Sequence, residues 1–133
     1  FAQAGIAPII AFADRFGIPW HLIADGDDAG RSYVAKARHL LRGRAEAKHV
    51  TLLPDRDLEH FLWASGFEGV YRRAAGPCPE EDAETVIRQA LRARSKPGMA
   101  LEVAEEAGRR GPSAVPPLLR RCFATLVRLA EKP

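Results

Sequence analysis

Asp25-Gly26-Asp27-Asp28-Ala29-Gly30 follows directly on the apolar run Trp20-His21-Leu22-Ile23-Ala24. An Asp-x-Asp that closes a strand sets two carboxylates at its carboxyl end, where open α/β sheets bind their ligands. Two acids that close repel each other unless a cation lies between them. Hard divalent ions such as Mg²⁺ take one or two carboxylates and keep several waters. A turn with a helix cap would account for Asp27 or Asp28. It would not account for Asp25, expected at a buried strand end where an uncompensated carboxylate is expensive. A calcium loop is excluded: its twelfth position would be Lys36 instead of Glu, and the segment before it is strand-like. The expected chemistry is therefore metal-dependent.

Two further places carry candidates. Asp57 and Glu59 open a short helix after the next expected strand, on the same sheet edge as Asp25. The helix dipole favours acids there, and Asp57 is equally suited to be the N-cap, which leaves Glu59 as the better candidate for chemistry. Lys96 precedes Pro97, expected as the first residue of a helix. A cation at that end opposes the dipole, and broken local rules concentrate at functional sites. Of the four histidines only His60, beside Glu59, draws notice.

The elements that must position these residues follow from periodicity. Ile6, Ile9, Ile10, Ala13 and Phe16 predict a helix over 6–16, ended by Gly17 and Pro19. Residues 20–24 predict a buried parallel strand, 29–42 a helix, and 49–53 a second strand, which together form a βαβ unit. A short helix follows Asp57. Gly66, Gly69, Gly76, Pro77 and Pro79 predict a loop-rich stretch. Helices are then expected from Pro79 to about Arg94, from Pro97 to Gly108, and from Pro116 onward. The last should turn Leu118, Leu119, Cys122, Leu126 and Leu129 inward. Trp20, Phe61 and Trp63 read as core or interface residues.

The 133 residues suffice for one domain, and 47% hydrophobic with 28% charged is a globular balance. No apolar run is long enough to span a bilayer. Two widely spaced cysteines, Cys78 and Cys122, exclude a zinc pattern and suit a reduced cytoplasmic setting. The chain carries no Met at its start and opens within an apolar segment, as a fragment of a longer protein would. A net charge of +3 says little alone. Its placement says more: Arg31, Lys36, Arg38, Arg42, Arg44 and Lys48 crowd one stretch, and Arg109, Arg110, Arg120, Arg121 and Arg128 form a second. A solvated face competes with nucleic-acid binding for both.

The Asp25-Gly26-Asp27 strand end, its Ala29-Gly30 helix start and the basic helix behind resemble a Toprim domain. This is the catalytic fold of bacterial primases, topoisomerases and several nucleases. Asp57-Leu58-Glu59-His60-Phe61-Leu62-Trp63, then Ser95-Lys96-Pro97, resemble the overcoming-lysogenization-defect (OLD) nucleases, which join an ATPase domain to a carboxy-terminal Toprim nuclease. The resemblance covers most of residues 1–120. The family's first glutamates would lie upstream of Phe1, since no Glu occurs before Glu46. Asp14 is the only acid where the family often carries another, and its place late in a helix speaks against that match.

The fold class so implied is α/β: a Toprim-like parallel sheet fragment over residues 1–76, lacking its first strand and glutamate motif, then a helical segment over 77–133 packing on it. The implied activity is hydrolysis of DNA phosphodiesters with Mg²⁺ or Mn²⁺, as a two-metal site. Asp25 and Asp27 would hold metal, with Glu59 and Asp57 supporting a second metal or water. Lys96 would stabilise charge on the phosphate transition state, and Arg31, Lys36, Arg38 and Arg42 would track the DNA backbone. Partners would be DNA and an upstream ATPase domain of the same polypeptide, with no membrane, and the full-length protein could be an oligomer. ATP would act only through that other domain, because no G-x-x-x-x-G-K-[ST] occurs here. Primase-type nucleotidyl transfer, a phosphatase with an aspartyl nucleophile and a catalytically incomplete Toprim binding module are the alternatives.

Overall fold

The computed structural model describes residues 5–78 and 82–131. In chain order the elements are α1 (Ala7–Arg15), β1 (Leu22–Ala24), α2 (Asp28–Leu40), a 3₁₀ turn (Glu46–Lys48), β2 (Val50–Leu52) and α3 (Leu58–Leu62). A π turn (Trp63–Phe67), α4 (Glu68–Ala75), α5 (Ala83–Arg110), a second 3₁₀ turn (Pro112–Ala114) and α6 (Pro117–Ala130) follow. This is a mixed α/β chain, mostly helical, with a small parallel sheet. It divides into two compact units, residues 1–56 with 117–133, and residues 57–116. The expected division after residue 76 falls inside the second of these.

The first unit is built on the βαβ repeat. β1 and β2 pair in parallel, Leu22 with Val50, Ile23 with Thr51 and Ala24 with Leu52. Ile10 of α1, Val34 and Ala37 of α2, Ala24 and Val50 form its buried cluster, flanked by Ile6, Trp20, Leu22, Leu40 and Leu52. Gly17 ends α1 at φ +65°, as its place in the sequence predicts. Asp14 faces inward at the end of α1. Its two oxygens accept from Arg44 at 2.6 and 2.9 Å, and Oδ1 also accepts from the Trp20 indole at 2.9 Å. The guanidinium, first of all, holds the Asp14 carboxyl below its usual range. Asp14 is thus a structural ion-pair partner, and Arg44 does not belong with the solvated cations around it.

His49 is also structural. It is buried, donates Nδ1–H to the Trp20 carbonyl at 3.0 Å and lies against the Trp20 ring. Burial pushes its pKa down. On α6 only Cys122 is fully buried; Leu118, Leu119, Leu126 and Leu129 are half-buried, while Phe123 and Val127 are exposed. The expected apolar stripe is therefore shallower than its spacing suggests.

The second unit corrects the loop-rich expectation. Residues 68–75 are helical, because Phe67, Val70, Tyr71 and Ala74 bury one face at i, i+3, i+4 and i+7. That burial outweighs the low helix propensity of Gly69, which is exposed. Gly66 adopts φ +98° in the π turn, a conformation a side chain would resist. The expected start of the next helix at Pro79 falls on residues 79–81, which lie outside the described set; α5 begins at Ala83 with Asp82 accepting from the Thr85 N–H at 2.9 Å. α5 is two helices in tandem, broken at Ser95 (φ +65°, ψ 165°) as Ser95-Lys96-Pro97 predicts. Val86, Ile87, Ala90, Met99 and Val103 are its buried positions. Glu106 collects Arg73, Arg109 and Arg110, so part of the second basic stretch is consumed in ion pairs.

Candidate functional site

The Asp25–Gly30 loop owes its shape to close backbone approach. Gly26 N–H donates to the Asp55 carbonyl at 2.9 Å, one step beyond the Leu53 N–H to Ala24 carbonyl bond of 2.8 Å. A Cβ on Gly26 would lie 2.4 Å from the Asp55 oxygen and 2.7 Å from the Leu53 oxygen. A Cβ on Gly30 would lie 1.8 Å from the Asp25 carbonyl oxygen. Only glycine fits at either place. The loops after β1 and β2 are thereby pressed together, with the first turn of α2 pressed onto the first of them.

Asp27 is the N-cap of α2, with Oδ1 accepting from the Gly30 N–H at 2.7 Å. Asp28 opens the helix. Asp25 is exposed rather than buried, so the cost of a buried carboxylate is no argument for a metal there. Asp25 does engage other groups of the protein. Asp55 is the acid that sequence reasoning missed. It lies three residues beyond the end of β2, and its backbone carbonyl is the group that meets the Gly26 N–H. Among the described residues no group of three or more Asp, Glu, His or Cys is placed to hold a metal ion.

The remaining candidates lie in the second unit. Asp57 caps α3, Oδ1 accepting from the His60 N–H at 2.8 Å and from His60 Nδ1 at 2.6 Å. His60 Nε2 faces Glu84 Oε2 at 3.3 Å. His60 therefore ties the start of α3 to the first turn of α5. Glu59 and Lys96 meet: Oε1 and Nζ are 3.1 Å apart, with the Glu59 side chain 13% exposed and Lys96 69% exposed. Ser95 caps the second half of α5, Oγ accepting from the Gly98 N–H at 3.4 Å. That makes Lys96, one residue ahead of the expected Pro97, the first of this helical stretch, with Ser95 as its cap. The carboxylate of Glu59 offsets the unfavourable dipole. The buried Tyr71 hydroxyl senses the same charges. Its pKa is raised, by burial first and then by Glu59 and Asp57.

Arg31, Lys36, Arg38 and Arg42 are all exposed. Arg38 is paired with Glu46 at 2.8 Å, and Lys36 lies over the Tyr33 ring. Arg42 holds φ +50° at the end of α2. The expected sites thus fall into an Asp25/Asp27 loop with basic residues in one unit and a Glu59–Lys96 pair in the other.

No protein-family model matches the chain. No solved structure matches it. It is 45% identical over 136 residues to "Uncharacterized protein YbjD" of Escherichia coli (strain K12). That similarity takes in 98% of this chain and 24% of the relative, so the chain spans about a quarter of the length of the protein it matches. Among the described residues no helix is long and apolar enough to cross a membrane.

Proposed function

We propose that this chain is a Toprim-like part of a larger OLD-type, ATP-dependent nuclease that hydrolyses DNA phosphodiesters in the cytoplasm. The observation that carries the reading is the Glu59–Lys96 pair. The two residues are remote in sequence, and each is a candidate for chemistry by its local sequence setting. They stand 3.1 Å apart with the lysine head in solvent. A mainly structural ion pair would have little reason to place its cation after a helix break. Asp25 and Asp27 would hold Mg²⁺ or Mn²⁺ in the first unit, and Glu59 and Asp57 would serve an ion or its water in the second. A bound divalent ion supplies an activated water and charge neutralisation at phosphate.

The chain's own residues do the rest. Gly26 and Gly30 fix the loop that carries both aspartates. His60 holds α3 to α5, so that Glu59 keeps Lys96 oriented. The Lys96 ammonium is then preorganised to meet charge developing on the scissile phosphate. Exposed Arg31, Lys36 and Arg42 meet backbone phosphates without reading sequence, and Arg38 does so after releasing Glu46. ATP would act through a domain outside this chain.

The test separates capping from chemistry. In the full-length protein, Asp27→Ser keeps an N-cap but removes the carboxylate. Mn²⁺-dependent cleavage of plasmid DNA should be lost in Asp27→Ser and in Asp25→Ala, with unfolding midpoints near wild type. Cleavage at the wild-type rate in both would refute the assignment. A catalytically incomplete binding module is the second reading, favoured by the lack of a three-ligand cluster among the described residues. It predicts DNA binding without cleavage under any divalent ion.

A further inference from the structure

Two basic stretches far apart in sequence contribute to one cleft of the first unit. Lys48 closes the 3₁₀ turn Glu46–Lys48, and Thr125, Arg128 and Leu129 come from α6; these four line a cleft of about 270 Å³. Among the described residues neither Lys48 nor Arg128 makes an ion pair, whereas Arg38, Arg44, Arg73, Arg94, Arg109 and Arg110 all do. Two cations lining one cleft repel, and among the described residues no carboxylate lines it to offset them.

The walls are held together. The Lys48 carbonyl can only accept, so His21 Nδ1–H donates to it at 3.0 Å. His21 Nε2 then accepts from the Thr51 hydroxyl at 2.9 Å, and Thr51 Oγ1 accepts from the Cys122 thiol at 3.3 Å. This relay runs from the 3₁₀ turn through β2 to α6. Arg128 donates Nε–H to the Ala124 carbonyl at 3.1 Å. That bond steadies the side chain and leaves its terminal nitrogens, which are the better phosphate donors. At this volume the cleft is smaller than the roughly 300–1,000 Å³ of small-molecule sites. It suits a phosphate with part of its sugar better than a whole cofactor.

We propose that Lys48 and Arg128 form a DNA-backbone subsite, each neutralising one phosphate of a duplex, with Thr125 and Leu129 lining the space between them. The subsite rests on the nuclease reading for its ligand, and it uses residues apart from the arginines assigned to α2. Binding is measured on the full-length protein with a short fluorescent duplex, in EDTA and without ATP, by anisotropy over a salt series. Each neutralised phosphate contributes about −0.9 to the log–log salt slope. Lys48→Gln/Arg128→Gln should flatten the slope by about 1.8 and weaken binding at low salt about tenfold or more. Arg92→Gln/Arg109→Gln removes the same formal charge from α5 and should leave the slope unchanged.

A wild-type slope in Lys48→Gln/Arg128→Gln would overturn the subsite. So would equal flattening in both double variants, or wild-type protein with no salt-sensitive duplex affinity. Because no metal is present, the outcome is independent of cleavage. Wild-type protein that binds through the cleft but cuts nothing would overturn the nuclease reading alone.

Discussion

Gly30→Ala sets two magnitudes against each other. Gly30 is the third residue of α2, and inside a helix Ala is favoured over Gly by roughly 0.8–1 kcal/mol. Judged by propensity, the substitution stabilises. Judged by geometry, it cannot. The new Cβ would stand 1.8 Å from the Asp25 carbonyl oxygen and 2.7 Å from its carbon, and real Cβ contacts essentially never fall under 3.0 Å. Helix or strand end must retreat by more than about 1 Å. The opposing atoms are backbone, and the peptide beside them is held by the Gly26–Asp55 and Leu53–Ala24 hydrogen bonds. Overpacking typically costs about 1–3 kcal/mol, and a rigid backbone partner puts this site at the upper end. The net expectation is a loss of about 2 kcal/mol. Urea denaturation followed by far-UV circular dichroism reads it as a lower midpoint at unchanged slope. In a melt it appears as a fall on the order of 5–10 °C. Cleavage should fall further than stability, because the retreating strand end carries Asp25. A Gly30→Ala protein as stable as wild type, or more so, would refute the close approach and with it the account of how the aspartates are positioned.

Lys96→Ala should lower single-turnover cleavage about 10²–10³-fold with little change in DNA affinity, and Lys96→Arg should rescue only in part; equal rates for wild type and Lys96→Ala would remove the lysine from the mechanism. Arg44→Ala should destabilise by about 1–3 kcal/mol, because the largely buried Asp14 carboxylate loses its charged donor; unchanged urea midpoints would contradict this. Asp14 titrates below its unfolded value, so its contribution is present above about pH 4 and drains away as pH falls through the lower folded value. In Arg44→Ala that acid-side loss of stability should be smaller, as midpoints measured between neutral and acid pH will show. The Tyr71 hydroxyl is held neutral by burial and by nearby Glu59 and Asp57. Its share of stability is full below the unfolded value near 10 and is lost as pH rises above it, so Tyr71→Phe should blunt alkaline unfolding followed by far-UV circular dichroism.

The βαβ repeat was legible because its strands are short apolar runs closed by turn residues, and because Asp27 and Asp57 stand where caps must stand. The break at Ser95 was legible from Pro97. Residues 68–75 were misread because Gly66, Gly69 and Gly76 drew attention from Phe67, Val70, Tyr71 and Ala74, whose helical spacing was present all along. Burial of Asp25 was misjudged for a different reason. A strand three residues long ends at the surface, and length alone could not distinguish it from a central strand of a wide sheet. Pairings such as Asp14 with Arg44, or His60 with Glu84, depend on which helix faces meet. No local pattern states that.

The first unit is discontinuous in sequence: residues 57–116 intervene between its two segments. On the ribosome, the whole second unit emerges before the helix that completes the first. The Thr51–Cys122 hydrogen bond spans a sequence separation of 71 residues, a non-local contact of the kind that slows folding. Closure entropy rises only logarithmically with the length of a flexible loop. The intervening residues are a packed body instead, so prior folding of α4 against α5 changes which closure remains. Synthesis order thus favours a second unit that matures early and a first unit in which Thr51 of β2 waits for Cys122 of α6.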